Sequence, residues 1–223
     1  MAKIKTAYYC QKCGTQYPQW HGQCKNCGEW NTLVEEIVEK KSSHYDILGS
    51  GKQKIINITE VETGTEIRLK TVSEELNRVL GGGIVLGSVI LIGGEPGIGK
   101  STLLLQLALK MKKKILYVSG EESASQIKMR ADRITDIQNP NCFLYTETSI
   151  EKILMEAKNL QPDLMIVDSI QTLQSQLLES AAGTVSQIRE CSGELIKFAK
   201  EKNIPVILVG HITKDGQIAG PKV

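Results

Sequence analysis

Two groups of residues in this chain have the types and spacing to do chemistry. The first is Gly94-Glu95-Pro96-Gly97-Ile98-Gly99-Lys100-Ser101, which fits the phosphate-binding pattern G-x-x-x-x-G-K-[ST]. The backbone N–H groups of such a loop and the helix N-terminus behind it converge on one anionic group. Gly97 and Gly99 let the backbone approach phosphates with no Cβ in the way. Lys100 is placed to reach the β- and γ-phosphates, and the Ser101 hydroxyl to ligate Mg²⁺. With Thr102 opening the following helix, residues 94 to 102 are the candidate contacts for a nucleoside triphosphate such as ATP. The bland alternative is a glycine-rich turn between a strand and a helix.

The second group is cysteine-based. Cys10-Gln-Lys-Cys13-Gly14 and Cys24-Lys-Asn-Cys27-Gly28 are matching C-x-x-C-G turns. Four thiolates at this spacing can close a tetrahedral shell on Zn²⁺ at about 2.3 Å per bond. Paired C-x-x-C elements in a reducing compartment read as metal ligands, with redox cysteines or an iron site as alternatives. Such a closed site is structural, and the metal would supply most of the module's folding free energy. His21 is a spare donor, since four cysteines already complete the shell. Trp20, Trp30, Tyr8, Tyr9 and Tyr17 crowd into the same short segment. They read as the small core of the knuckle, with base stacking as the functional alternative. Cys142 and Cys191 stand alone and read as small core residues.

These groups need elements to position them. Apolar runs at Val89–Ile92, Ile115–Val118, Phe143–Tyr145, Leu164–Val167 and Val206–Val209 alternate with helical patterns at Thr102–Met111, Ser149–Leu160 and Val185–Lys202. Uninterrupted apolar strands linked by helices predict an α/β fold: a mostly parallel sheet covered on both faces, with ligands bound beyond the strand C-termini. Thr71-Val-Ser-Glu74 predicts a capping box for a short helix that Gly81-Gly82-Gly83 ends. The predicted organisation is a four-cysteine module at 1–34, a linker and entry strand at 35–70, and a nucleotide-binding core at 71–223.

Polar residues at strand C-termini complete the candidate site. Asp168, after Leu164–Val167, matches the aspartate that orients Mg²⁺ and its waters in P-loop proteins, with a helix N-cap as the alternative. Glu121 and Glu122 follow Leu116-Tyr117-Val118-Ser119-Gly120; either carboxylate could polarise a water for in-line attack, or the pair could be a capping element. His211 could sense a γ-phosphate or be a plain loop histidine. Arg130 and Arg133, three residues apart on one helical face, are surface ion-pairing partners or nucleotide contacts. The basic cluster at Lys110 and 112–114 suits a helix C-terminus.

Composition adds little about partners. Net charge is +2 with pI about 8.1, so no global field argues for nucleic acid. No apolar run approaches the roughly 20 residues that span a bilayer, and the N-terminus leads into cysteines rather than an apolar signal segment. A soluble cytoplasmic protein with no membrane partner is the expectation.

With these residues in place the chain resembles the RadA (Sms) family of bacterial recombination and repair ATPases, in the RecA/DnaB-like class. The stretches that carry the resemblance are Cys24-x-x-Cys27-Gly-Glu-Trp30-Asn31-Thr32, Glu75-Leu-Asn-Arg-Val-Leu-Gly-Gly-Gly83, Tyr117-Val-Ser-Gly-Glu121-Glu122-Ser123, Val167-Asp168-Ser-Ile-Gln171-Thr172, Ser186-Gln-Ile-Arg189-Glu-Cys191 and Gly210-His211-Ile-Thr213-Lys214. The resemblance implies a RecA-like P-loop core preceded by a zinc module. It also implies a ring-forming, DNA-dependent ATPase of the helicase class that binds single-stranded and branched DNA, a hexamer in the family, acting on intermediates made by RecA.

By position, the resemblance puts a catalytic glutamate at Glu121 or Glu122, a γ-phosphate sensor at His211, and DNA-facing loops at about Ser175 to Arg189 and from Thr213 onward. Family members continue through a Lys-Asn-Arg-Phe-Gly signature and a ring-forming domain, neither of which occurs in these 223 residues. The expectation is therefore that this polypeptide binds nucleotide and hydrolyses it slowly without migrating DNA. Two other readings stand beside it: a nucleotide-gated adaptor that docks a partner through its zinc module, and a KaiC-like signalling ATPase, which has no use for zinc knuckles.

Overall fold

The computed structural model describes residues 5–38, 57, 59, 68–134 and 139–211. The expected linker lies mostly outside these residues, as does the expected DNA-facing loop from Thr213 onward.

Residues 5–38 form a small antiparallel sheet of β1 (Lys5–Cys10), β2 (Gln16–Tyr17) and β3 (Leu33–Val38), in the order β2-β1-β3. The two cysteine turns sit at its ends, the first between β1 and β2 and the second between β2 and β3. The apolar interior here is Cys10, Cys24 and Leu33, with Tyr8, Tyr17, Cys13 and Cys27 packed against it. Trp20 and Trp30 do not join it: they are 55% and 67% exposed. The expectation that the aromatics build this core therefore holds for Tyr8 and Tyr17 and fails for both tryptophans.

The core opens with the two-residue strands β4 (Arg68–Leu69) and β5 (Ile84–Val85), which pair antiparallel around α1 (Glu74–Val79). The helix cap differs from the expected one. Ser73, not Thr71, accepts from the Leu76 amide, because Thr71 is engaged by Asn77: its amide and hydroxyl both donate to Asn77 Oδ1, at 2.8 and 2.9 Å.

Five strands then make the main sheet: β6 (Val89–Gly94), β7 (Ile115–Ser119), β8 (Cys142–Thr146), β9 (Leu164–Asp168) and β10 (Val206–His211). Their order is β6-β10-β9-β7-β8 and every pairing is parallel. The crossovers carry α2 (Lys100–Lys110), α3 (Ala124–Ile134), α4 (Ile150–Leu160) and α5 (Val185–Lys202).

Strand periodicity divides the interior in two. Ile115, Tyr117, Leu164, Ile166, Ile207 and Val209 face α2 and α3, whereas Leu116, Val118, Met165, Val167, Val206 and Leu208 face α4 and α5. Strands β7 and β9 are buried throughout, and β10 up to Gly210. The sheet is not covered to its flanks, however: on the edge strands β6 and β8, Leu91, Phe143 and Leu144 are exposed. The fold class is thus the expected one, a parallel α/β core with a four-cysteine cluster at the N-terminus.

Candidate functional site

Parallel pairing brings every strand's C-terminus to one end of the sheet. In the β6–β10 register Gly94 lies beside His211, and in the β7–β9 register Ser119 lies beside Asp168. The loop Gly94–Ser101 leaves β6 at this end and turns into α2. Glu95 to Gly99 are exposed, with Gly97 and Gly99 at φ 83° and 97°. These are left-handed values that a Cβ disfavours. Lys100 is buried, and its ammonium donates to the carbonyls of Gly94 and Glu95 at 2.7 Å each. Ser101 is half-buried and Thr102 exposed in the first turn of α2.

Asp168 ends β9 and is 8% exposed. It is not a helix cap: Ser169 holds that place ahead of the short 3-10 turn Ile170–Thr172. The Tyr117 hydroxyl donates to Asp168 Oδ2 at 2.8 Å. Burial, then the adjacent Asp168 charge, push the Tyr117 phenol up, so it stays a proton donor to the carboxylate.

Glu121 and Glu122, which the sequence leaves equivalent, have different surroundings. Glu121 Oε1 accepts from the Ser169 hydroxyl at 2.6 Å and lies 3.3 Å from His211 Nε2. Glu122 instead pairs with the guanidinium of Arg130 on α3. Neither glutamate caps α3, because Ser123 and Gln126 close that turn on each other. Gly120 allows the close approach behind Glu121: its amide donates to the Asp168 carbonyl at 3.1 Å, and a Cβ there would run into the Thr172 side chain. Gln171 donates to the His211 carbonyl at 3.4 Å.

Ser169 and Tyr117 are the groups that sequence reasoning missed. Only their nearness in sequence to Asp168, Glu121 and Glu122 pointed to them. One Arg130 alternative is now settled, since it is an ion-pairing partner of Glu122.

The stretch Ser175 to Arg189, where the resemblance puts a DNA-facing loop, runs into α5 from Val185 onward, and the part before the helix is tied down. Gln187, 1% exposed on α5, accepts from the Ser175 amide at 2.7 Å. Its amide group donates to the carbonyls of Ser175, Leu178 and Ser180 at 3.3, 3.1 and 2.9 Å. One buried side chain thereby fixes the segment to the helix that follows it.

At the other end of the chain the four cysteine sulfurs all lie within 4.8 Å of one another. Cys10 and Cys27 are 3.6 Å apart and Cys13 and Cys24 3.5 Å, close to the roughly 3.8 Å edge of a zinc–thiolate tetrahedron. Hydroxyls from Thr32, Thr15 and Tyr17 reach Cys10, Cys13 and Cys24 at 3.2 to 3.3 Å. Burial raises the Cys24 thiol, but the hydrogen bonds from Tyr17 and the Cys27 and Asn26 amides outweigh it and hold it down at about 6. Burial pushes Cys27 up to about 12, and its sulfur neighbours add to the rise. This donor set fits Zn²⁺, whose charge lets all four sulfurs ionise together. His21 stays outside it, in an edge-on contact with the Tyr17 ring.

Comparison with known proteins agrees with this geometry. Residues 58–217 match a family described as an AAA domain, and residues 8–35 match a rubredoxin metal-binding domain of the zinc-ribbon type. The chain is 49% identical over 230 residues to the DNA repair protein RadA of Bacillus subtilis, covering 100% of this chain and 50% of that protein. Identity to the RadA proteins of Aquifex aeolicus and Streptococcus pyogenes M6 is 49% and 47%, with the same coverage. The chain thus spans about half the length of the curated relatives it matches. Among the described residues no helix is long and apolar enough to cross a membrane. With its phosphate-binding loop at the C-terminal end of a parallel sheet, this chain belongs to the AAA-domain family and is homologous along its whole length to the RadA DNA repair proteins.

Proposed function

We propose that the site at the C-terminal end of the sheet hydrolyses ATP, and that the protein uses it on DNA in repair and homologous recombination. Binding to single strands and branch migration of intermediates made by RecA belong to this reading, as do a hexameric ring and a cytoplasmic setting that keeps the thiols reduced. The RadA name of the relatives supports it, and so does a P-loop joined to a four-cysteine module. The proposed boundaries are those of the sequence reading: 1–34, 35–70 and 71–223.

The observation that carries the catalytic part is the placement of Glu121. Its carboxylate is held by Ser169 beside His211, at the strand ends where the phosphate-binding loop begins, while Arg130 neutralises Glu122. Glu121 is therefore the proposed general base for water, Glu122 a positioning group and His211 the sensor of the γ-phosphate. Lys100 would meet the phosphates. Ser101 and Asp168 would hold Mg²⁺, which neutralises charge on the transferring group when bound. Tyr117 keeps Asp168 oriented. A second reading, the nucleotide-gated adaptor, draws support from the exposure of Trp20 and Trp30, because aromatic anchors of this kind suit a docking surface.

The test is steady-state ATP hydrolysis by zinc-loaded protein, with and without single-stranded DNA, alongside Lys100→Ala. Turnover that Lys100→Ala abolishes is the expected result. Turnover that survives the substitution, or failure of the unaltered chain to bind ATP, contradicts the proposal. Binding without DNA stimulation would place the coupling to DNA in segments beyond these residues.

A further inference from the structure

We infer that the first cysteine turn is a strut: it docks on α5 through Gly14, Val185 and Arg189, and its metal loading sets how firmly the segment between β9 and α5 is held. Gly14 follows Cys13 directly, and its amide closes the ligand turn on the Cys10 carbonyl at 2.7 Å. Its own carbonyl accepts from Arg189 Nη1 at 3.2 Å. A Cβ on Gly14 would lie 2.5 Å from Arg189 Nη2 and 2.8 Å from Val185 Cγ1. Val185 and Arg189 are four residues apart and share one face of α5. The backbone of the turn therefore rests on that face, and the φ of +69° at Gly14 adds a second reason for glycine there.

The same stretch of α5 holds the adjoining segment from its other side. Gln187 lies between the two contact residues and makes the four hydrogen bonds to Ser175, Leu178 and Ser180 described above. The Ser175 hydroxyl donates in turn to Glu151 of α4 at 2.8 Å. At the start of the segment the Thr172 hydroxyl donates to the Ser169 carbonyl at 2.8 Å, and Ser169 is the group that holds Glu121. A contiguous set of contacts thus runs from the metal turn through α5 to the neighbour of Glu121. Coupling along such a set needs an element with two states, and a metal-dependent module supplies one: folded when loaded, unfolded when stripped. Among the described residues no carboxylate pairs with Arg189, so its guanidinium is committed to the Gly14 carbonyl.

The inference rests on the module taking zinc and is independent of the catalytic reading, so its test uses neither ATP nor DNA. Amide hydrogen exchange is followed on the full chain, before and after chelation, for the unaltered protein, Arg189→Ala and Arg189→Lys, with zinc content measured on each sample. Chelation should speed exchange of amides 175–188 by about fivefold or more, as expected when a local support is lost. Arg189→Ala should show that fast exchange while retaining one zinc, and Arg189→Lys should restore part of the protection. Exchange at 175–188 that ignores chelation while amides 8–33 speed up would overturn the strut, as would full protection in Arg189→Ala. Less than one zinc per chain in untreated protein would overturn the metal reading and the strut with it.

Discussion

The four-cysteine module and the P-loop core reach a fold by different routes. The module's interior is two cysteines and Leu33, edged by tyrosines, and its tryptophans stay in solvent. The core buries two extended apolar layers, one on each face of a five-stranded parallel sheet. At about 1.5 to 3 kcal/mol per buried large side chain, the core has extensive burial to set against its conformational entropy. The module has little, and needs metal bonds. The lesson is that one chain can carry a part that depends on a ligand for its fold and a part that buries its own interior, so the global stability of each can be perturbed separately.

The largest expected effect breaks the module and leaves the core folded, loosening only the segment that the module holds. Chelation removes binding free energy on the order of 10 kcal/mol or more from residues 5–38, and Cys24→Ser, which takes away one of the four thiolates, removes part of it. Exchange protection of amides 8–33 should then collapse while the core's melting transition stays in place. The converse experiment is Leu195→Ala, at a fully buried position under the sheet. It should destabilise the core by about 2 to 5 kcal/mol and leave zinc affinity unchanged.

How much of this was legible in the sequence depends on whether the determinant was local. The C-x-x-C-G turns, the phosphate-binding loop and the apolar runs each contain their own signal, and the five strands of the main sheet appear within a residue or two of where those runs put them, whereas the three strands of the module carried no such signal. Determinants that join distant residues were not legible. Arg130 separates Glu122 from Glu121 only once α3 packs beside β7. Gln187 staples the segment from Ser175 to Ser180, within the range that the resemblance assigns to a DNA-facing loop. Thr71 fits a capping box until Asn77 claims its hydroxyl, and the exposure of Trp20 and Trp30 depends on how few side chains the module has to cover them.

Smaller effects sharpen the comparison. Hydrogen bonds from the Ser149 amide, Lys152 and the Thr148 amide hold Glu147 at about 2, below its ordinary 4.5. A depressed carboxylate stabilises the fold above its unfolded pKa, and that contribution fades as pH falls from 4.5 toward 2. Because the ion pair with Lys152 is solvent-screened, the loss should stay below about 1 kcal/mol and should be absent in Glu147→Gln, as read from melting curves across that range. The smallest effect is expected for Trp30→Ala, whose ring is largely in water. Zinc affinity and module folding should change by less than about 0.5 kcal/mol, whereas a larger loss would return Trp30 to the module's core.

The central claim, that Glu121 and not Glu122 is the base at an ATP-hydrolysing site, is tested most directly by single-turnover hydrolysis in Glu121→Gln and Glu122→Gln at saturating ATP. Glu121→Gln should bind ATP normally and slow the chemical step by about 10²- to 10⁴-fold, with Glu122→Gln much less affected. Equal losses in both variants, or a larger loss in Glu122→Gln, would contradict the assignment.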